Sequence, residues 1–133
     1  EALVMALASD PDARLRAVLV PLLLARSDCA AAAPLAADRL SGKARLTLVC
    51  SYSAAVAIQR LGDAKLPPWV APDHALVDLF AADLDLGPLV DADTRLAEVA
   101  ERHAKLSGES INWRGSYLHA VDNWLRFAKP GPA

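Results

Sequence analysis

Residues 13–25 read ARLRAVLVPLLLA and residues 44–58 read ARLTLVCSYSAAVAI. The tripeptide Ala-Arg-Leu therefore begins two long apolar stretches. A turn signal precedes each copy, SDPD at positions 9–12 and SG at positions 41–42. Alanine and leucine lose little side-chain freedom in a helix, and neither stretch shows the alternation of a half-exposed strand. Helix pairs at such a spacing are typical of a helical repeat or of a bundle built from hairpins.

The composition of the whole chain also favours helices. Its 133 residues are 54% hydrophobic and 23% charged, which suits a single domain that buries one core. We therefore expect one all-α domain over residues 1–133, a compact multi-helix bundle of about seven helices whose first four form two helical hairpins. A short HEAT-like α-solenoid fragment is the alternative. The abundance of alanine and arginine indicates a bacterial source with a GC-rich genome.

Turn and cap signals divide the chain into seven predicted helices. Asp10 is the expected N-cap of the second helix, with Pro11 at its first position, and Pro21 should bend that helix. Ser27 or Asp28 should cap the third helix, Asp73 the fifth, and Asp91 or Asp93 the sixth. The proline-rich residues 66–72 form a connector between two helical halves. The predicted helices run over about 1–8, 11–26, 28–40, 43–61, 73–86, 92–107 and 112–128.

The cysteines and the apolar stretches bear on location. Cys29 and Cys50 form no C-x-x-C motif, so we expect reduced thiols, with Cys50 buried, although a bridge between the two remains open. Residues 17–25 and 46–58 are shorter than the ~20 apolar residues that cross a bilayer. We therefore predict no membrane partner and a cytoplasmic location. The start at Glu1 without a methionine suggests a trimmed or processed end.

Residues 7–17 resemble the turn of a HEAT-type repeat. In that family an Asp-Pro-Asp-like turn precedes a hydrophobic–arginine pair, and Leu15-Arg16 stands in that place. The second copy matches less well, because Ser41-Gly42 replaces the turn and Thr47 replaces the arginine. The resemblance implies protein–protein recognition on a solenoid surface. However, a stable solenoid takes about three or more repeats, which favours the compact bundle.

The three histidines are the first candidates for chemistry. His74 and Asp78 stand one turn apart on the predicted fifth helix, as an oriented base or metal ligand would. His119 and Asp122 stand three residues apart on the last helix. We interpret both pairs as surface pairs, and His103, at an apolar position of the sixth helix, as a packed side chain.

Local catalytic and metal-binding motifs are absent from the sequence. It has no phosphate-binding glycine loop, nucleophile elbow or zinc pattern. Asp83, Asp85, Asp91 and Asp93 invite a calcium interpretation, but apolar residues occupy the positions where a calcium loop needs oxygen ligands. Helix ends and caps account for these carboxylates better. We assign no catalytic residue, metal ligand or cofactor, and an enzyme is the less favoured class.

Two groups of residues are candidates for partner binding. Arginines and a lysine surround the two turns between helices and could receive an acidic partner or a phosphate. Aromatic residues follow helical spacing on the last helix, where exposed members would mark a partner surface. The candidate partner-binding residues are Arg14, Arg16, Arg39, Arg45, Trp113, Tyr117 and Trp124, with Lys43 beside the arginines.

These observations support three hypotheses of function. The first is a small helical protein-interaction module that self-associates, with a protein partner or a second copy as its ligand. The second is a helix-turn-helix DNA-binding regulator within residues 66–107, although this half of the chain is acidic and the basic residues of its candidate helix are only Arg95, Arg102 and Lys105. The net charge of −2 gives no support to a nucleic-acid partner. The third is a ligand-binding or enzymatic helical bundle built around His74, His103 or His119.

Overall fold

The computed structural model describes residues 1–61 and 75–127, and every regular element in this part of the chain is an α-helix. The prediction of a compact all-α fold is thereby confirmed. The helical segments are α1 (Ala2–Ala8), α2 (Ala13–Ala17), α3 (Leu19–Ala25), α4 (Ser27–Arg39), α5 (Gly42–Arg60), α6 (Ala92–Ser107) and α7 (Trp113–Phe127).

Segments α2 and α3 are two parts of one bent helix. Val18 joins them with helical backbone angles (φ −62°, ψ −22°), and the Leu22 N–H donates to the Val18 carbonyl at 3.0 Å. The bend lies one turn before Pro21, whose ring crowds the carbonyl of Ala17 and offers it no N–H. When the two parts are counted together, the described residues form six helices, one fewer than the seven expected.

Two predicted helix starts are wrong by a few residues. The N-cap of α2 is Asp12, which accepts the Arg14 N–H, while Asp10 accepts the Asp12 N–H at 2.8 Å. Pro11 therefore lies in the turn and not in the helix. The N-cap of α4 is Arg26, which makes no side-chain cap hydrogen bond, and Pro34 lies inside α4 without ending it.

Helix α5 is the centre of the bundle. Its residues Leu48–Ile58 are all buried, and the helix packs against α1, α3, α4, α6 and α7. The run Leu19–Leu24 of α3 is also buried and lies against α5. The two apolar stretches of the sequence therefore pack side by side. Small residues such as Ser51 and Ala55 allow this close approach.

The predicted fifth helix is wrong over the residues that the structure describes. Leu76, Phe80 and Leu84 are buried at helical spacing, yet residues 75–90 contain no regular helix. A turn over residues 81–85 ends at Asp85, whose φ of 54° is left-handed. We call residues 75–90 the docked segment, since it packs on the bundle without a helical hydrogen-bond ladder.

Side chains from α5 and α6 bind backbone groups of the docked segment and hold it on the bundle. The Leu76 N–H donates to Oε1 of Gln59 at 2.7 Å, and Arg102 donates to the Leu84 carbonyl at 3.1 Å. Arg95 donates to the Gly87 carbonyl at 2.5 Å. These side chains supply the hydrogen-bond partners that the three backbone groups of the docked segment need.

Arg95 is the buried anchor of this arrangement, with 2% of its surface exposed. Its guanidinium donates to Oδ2 of Asp78 at 2.7 Å, and its Nε lies 3.8 Å from Oε1 of Glu98. Glu98 in turn accepts the Gly87 N–H at 3.1 Å. The buried charge of Arg95 is offset by these two carboxylates, although Nε of Arg95 and Oδ1 of Asp78 have no hydrogen-bond partner in the described structure.

Helix α6 begins and ends as the sequence predicted. Asp91 is its N-cap and accepts the Thr94 N–H at 3.3 Å, and Gly108 ends it with a left-handed φ of 75°. Leu106, near the end of this helix, is 55% exposed although it stands three residues after the buried His103.

Several other expectations concern the cysteines, membranes and residues outside the described part. Cys29 and Cys50 are both buried free thiols, so no bridge joins them.

Among residues 1–61 and 75–127, none of the helices combines the length and apolarity needed to cross a bilayer. The connector at 66–72, the proposed cap Asp73, His74 and the residues after Phe127 lie outside the described residues.

Candidate functional site

Two adjoining cavities lie where α2, α5, α6 and α7 meet. The inner cavity has a volume of about 140 Å³ and the outer one about 460 Å³. Both are lined by Arg16, Thr47, His103, Glu109 and Trp113. We call the two cavities together, with the residues that line either of them, the Arg16–His103 pocket.

His103 and Tyr117 form the polar floor of the pocket. Each is 4% exposed, and Nδ1 of His103 lies 2.6 Å from the Tyr117 hydroxyl oxygen. The short connection after Gly108 brings α6 and α7 together and so places the two side chains in contact. The sequence predicted that His103 would be packed, and its burial confirms this.

Trp113 covers the imidazole of His103. The two rings stack with their centroids 3.5 Å apart and their planes 16° from parallel. The indole N–H of Trp113 donates to the Glu109 carbonyl at 3.0 Å, which fixes the ring at the end of α6. The floor of the pocket is therefore held by a hydrogen bond on one side and an aromatic stack on the other.

Burial sets the protonation of this floor. It lowers the pKa of His103 to about 4, and the positive charge of Arg16 acts in the same direction. Burial also raises the pKa of Tyr117. At neutral pH the imidazole and the phenol are therefore both uncharged, and the floor offers hydrogen-bonding groups without a net charge.

Arg16 carries the positive charge of the pocket. Its Nη1 donates to the carbonyls of Asp10 at 2.7 Å and Pro11 at 2.9 Å. Within the described residues no carboxylate lies within ion-pair distance of Arg16, and its Nε and Nη2 have no acceptor. The guanidinium is thus tethered at one end and open at the other.

The other predicted partner-binding cations differ from Arg16, because each is paired with a carboxylate of this chain. The pairs are Arg14–Asp12 at 3.4 Å, Arg39–Glu1 at 3.0 Å, Lys43–Glu109 at 3.6 Å and Arg45–Asp83 at 2.8 Å. An acidic partner would have to displace these carboxylates. Arg16 therefore differs from the other predicted partner-binding cations, because it alone among them has no carboxylate partner within the described residues.

The predicted aromatic group is divided in a similar way. Trp113 and Tyr117 belong to the Arg16–His103 pocket. Trp124 is half-buried and lines a separate groove of about 500 Å³ between α2–α3 and α7, beside Pro21 and His119. The three aromatic residues do not form one surface.

The remaining candidate residues lie away from the pocket. Asp78, which the sequence placed beside His74, binds Arg95, while His119 and Asp122 are exposed. In the described part of the chain, no group of three potential ligands could hold a metal ion. Of the four acidic residues of the calcium interpretation, Asp91 caps α6 as expected, and Asp93 forms an ion pair with Arg114. Asp83 and Asp85 lie in the turn of the docked segment and not at a helix end, and Asp83 pairs with Arg45.

The sequence did not single out the pocket's hydroxyl and carboxylate groups. Thr47 and Ser51 line the inner cavity, as do Ser116 and Glu109. Thr47 and Ser51 stand four residues apart in α5, so they share one face. That spacing was the available signal for a polar pocket wall on α5.

Comparison with protein-family models, curated proteins and solved structures gave no match for this chain. The resemblance to a HEAT-type repeat therefore stays a prediction. The case for a function rests on the geometry of the pocket.

Proposed function

We propose that this chain is a small-molecule-binding helical domain that holds a ring-sized ligand in the Arg16–His103 pocket. The observation that carries the proposal is an uncharged polar floor, His103 and Tyr117, at the base of a cavity in an otherwise apolar bundle. Concave sites with apolar walls and a few convergent polar groups are the usual form of a ligand site.

The size of the inner cavity suits one ring. Its volume of about 140 Å³ is close to that of a cavity of ~150 Å³ that accepts benzene. Val20, Ala17 and Ile111 supply apolar wall, and Trp113 supplies an aromatic edge or face. The outer cavity of about 460 Å³ leaves room for a substituent on the ring.

The arrangement favours binding over catalysis. Nδ1 of His103 is already engaged by Tyr117, and the raised pKa of Tyr117 keeps its hydroxyl protonated at neutral pH. A protonated phenol is a poor nucleophile. We therefore propose recognition of a ligand and no chemical step.

Titration with benzyl alcohol, a neutral single-ring probe, tests the proposal. We expect saturable shifts of the Trp113 indole N–H in the NMR spectrum, because that ring lines both cavities. Thr47→Leu should fill the pocket and abolish the shifts. Ala97→Leu, at an exposed position of α6, is the matched control and should bind as the unmodified chain does. Equal binding by Thr47→Leu would refute the site.

A self-associating interaction module is the second candidate, and exposed apolar side chains favour it. In the described part of the chain, Leu3, Leu15, Leu35, Val77, Leu79, Val90, Leu106 and Ile111 are 42–86% exposed. Such side chains at a shared face would bury apolar area on dimerisation. Sedimentation velocity from micromolar to millimolar concentration tests this, and a monomer throughout would reject it.

The DNA-binding alternative receives no support from the basic residues of α6. Arg95 is buried, and Arg102 donates to backbone carbonyls of the docked segment. Of the three basic residues on that helix, Lys105 is the exposed one. A recognition helix needs such residues free for phosphates and base edges, so we do not propose this function.

A further inference from the structure

We infer that the ligand of the Arg16–His103 pocket is a single-ring carboxylate whose anionic group is bound by the free edge of the Arg16 guanidinium. This inference rests on the proposed binding function and adds the chemical class of the ligand. It is carried by the position of Arg16 in both cavities, by its tether to the α1–α2 turn and by its lack of an ion-pair partner among the described residues.

The tether fixes the direction of the guanidinium. Nη1 makes two hydrogen bonds to the carbonyls of Asp10 and Pro11, and the planar group can then turn little. Its Nε and Nη2 form the parallel fork that a carboxylate accepts in a bidentate way. Since the turn already holds the side chain, little freedom is lost when an anion binds.

The surroundings of Arg16 strengthen an attraction for an anion. The side chain is half-buried, and His103, which lines the same two cavities, is neutral at neutral pH. A cation in a partly desolvated site interacts with an opposite charge more strongly than one in water. The same charge acts, after burial, to lower the pKa of His103.

Carboxylates at the pocket favour a monoanion over a dianion. Glu109 lines both cavities, although its Oε1 lies 3.6 Å from Nζ of Lys43, and it is 45% exposed at the side chain. Asp10 lines the outer cavity, where one of its oxygens accepts the Asp12 N–H. Their negative charges repel a phosphate more than a carboxylate, so we commit to a carboxylate.

The cavity volumes indicate where the ring and the carboxylate of the ligand would lie. The inner cavity of about 140 Å³ accepts one six-membered ring, as argued above, and Arg16 lies in its wall. Benzoate carries a carboxylate directly on such a ring and is therefore the probe of choice. The hydroxyl of Thr47, also in the wall of both cavities, is within the same pocket and can donate to a carboxylate oxygen.

A charge series on one ring tests the inference at pH 7. Dissociation constants for benzoate, benzyl alcohol, benzylamine and phenyl phosphate are measured by NMR titration of the unmodified chain. We expect benzoate to bind at least about tenfold more tightly than benzyl alcohol, as a charge-assisted bidentate contact implies. Benzylamine should bind most weakly, and phenyl phosphate more weakly than benzoate. Tighter binding of benzylamine would assign recognition to Glu109 and overturn the inference, and tighter binding of phenyl phosphate would overturn the choice of a carboxylate.

Substitutions of Arg16 separate the charge from the cavity. Arg16→Gln should lose about tenfold or more of its benzoate affinity and keep its affinity for benzyl alcohol. Arg16→Lys keeps the charge without the fork and should show a smaller loss. Arg14→Gln, an exposed arginine of the same helix that lines neither cavity, is the matched control and should bind benzoate normally.

The outcomes distinguish this inference from the proposed function. Equal affinity for benzoate and benzyl alcohol would reject the carboxylate and leave a neutral-ligand pocket. Binding of no member of the series would reject the pocket itself. If Arg16→Gln fails to fold, Arg16→Lys decides, because an unchanged benzoate affinity in that variant would contradict a bidentate contact.

Discussion

Nδ1 of His103 and the hydroxyl oxygen of Tyr117 lie 2.6 Å apart in the core, although 14 residues separate them in the chain. Both side chains are 4% exposed, so neither can exchange this partner for bulk water. A buried polar pair of this kind stabilises the fold while both members are present. Removal of one member leaves the other without its hydrogen bond.

Tyr117→Phe should therefore lower the free energy of unfolding by about 1–3 kcal/mol, the usual cost of an unsatisfied buried group. Urea denaturation at pH 7 measures the change. The double variant His103→Leu, Tyr117→Phe should cost less than the sum of the two single variants, because no polar group is then left without a partner. Additive costs would show that the pair is not coupled.

The stability of the chain should fall between pH 6.5 and about 4 because of His103. Burial lowers the pKa of His103 from 6.5 to about 4 in the folded chain, so the unfolded chain takes up a proton first as the pH falls. The stability is complete above pH 6.5 and decreases by about 3 kcal/mol by pH 4.

Urea denaturation at several pH values measures this slope. His103→Leu should remove it, and His119→Gln, on the exposed face of α7, should leave the curve of the unmodified chain unchanged. Asp12, Asp28 and Asp91 have lowered pKa values, caused first by hydrogen bonds from their neighbours. Their contribution is lost only below about pH 4, so it does not overlap the His103 window. A flat stability profile from pH 6.5 to 4 would contradict the burial of a neutral His103.

Arg95→Leu should destabilise the chain by about 3–5 kcal/mol, since it leaves Asp78 without its buried cationic partner. Hydrogen exchange gives a second readout. The amide of Gly87 should lose protection first, because Glu98 accepts that N–H beside Arg95. Arg26→Ala breaks an exposed pair with Asp28 and is the control, with no measurable loss expected. Comparable losses in both variants would mean that Arg95 is not an anchor.

Ser53→Ala should stabilise the chain by about 1 kcal/mol. Ser53 is 1% exposed, and its hydroxyl has no hydrogen-bond partner in the described structure. Its removal relieves a desolvated polar group and leaves a residue with higher helix propensity. Ser51→Ala, at a residue that lines the inner cavity and whose hydroxyl is not among the unpartnered buried atoms, should change the thermal midpoint less. A lower midpoint for Ser53→Ala would indicate a partner for this hydroxyl.

Much of the helical architecture was predictable because its signals are local. Asp91 and Gly108 bound α6 as their cap chemistry indicates, and the apolar runs of α3 and α5 are buried as expected. The fifth helix was not predictable in this way. Leu76, Phe80 and Leu84 keep helical spacing, yet the segment is held to the bundle by side chains of distant helices, and no local pattern indicates those contacts. Tertiary contacts override local propensity there.

The pocket was predictable only in part. Trp113 and Tyr117 follow helical spacing, and His103 stands in an apolar stripe, so packing of α6 on α7 was a fair expectation. The special status of Arg16 was not accessible, because it depends on which carboxylates reach the other cations. Asp83 lies 38 residues from Arg45, and no local pattern indicates that pairing.

The uninterrupted burial of Leu48–Ile58 has a consequence for mutational tolerance. An amphipathic helix in a saturation scan alternates between permissive and restrictive positions with a period of about 3.6 residues. Helix α5 is enclosed on every side along this run, so its eleven consecutive positions should show no such period. Large side chains should be depleted at Ser53, Ala54 and Ala55. Tolerance to substitution should be uniformly low along this run of α5, whereas along α6 it should rise and fall with the helical period.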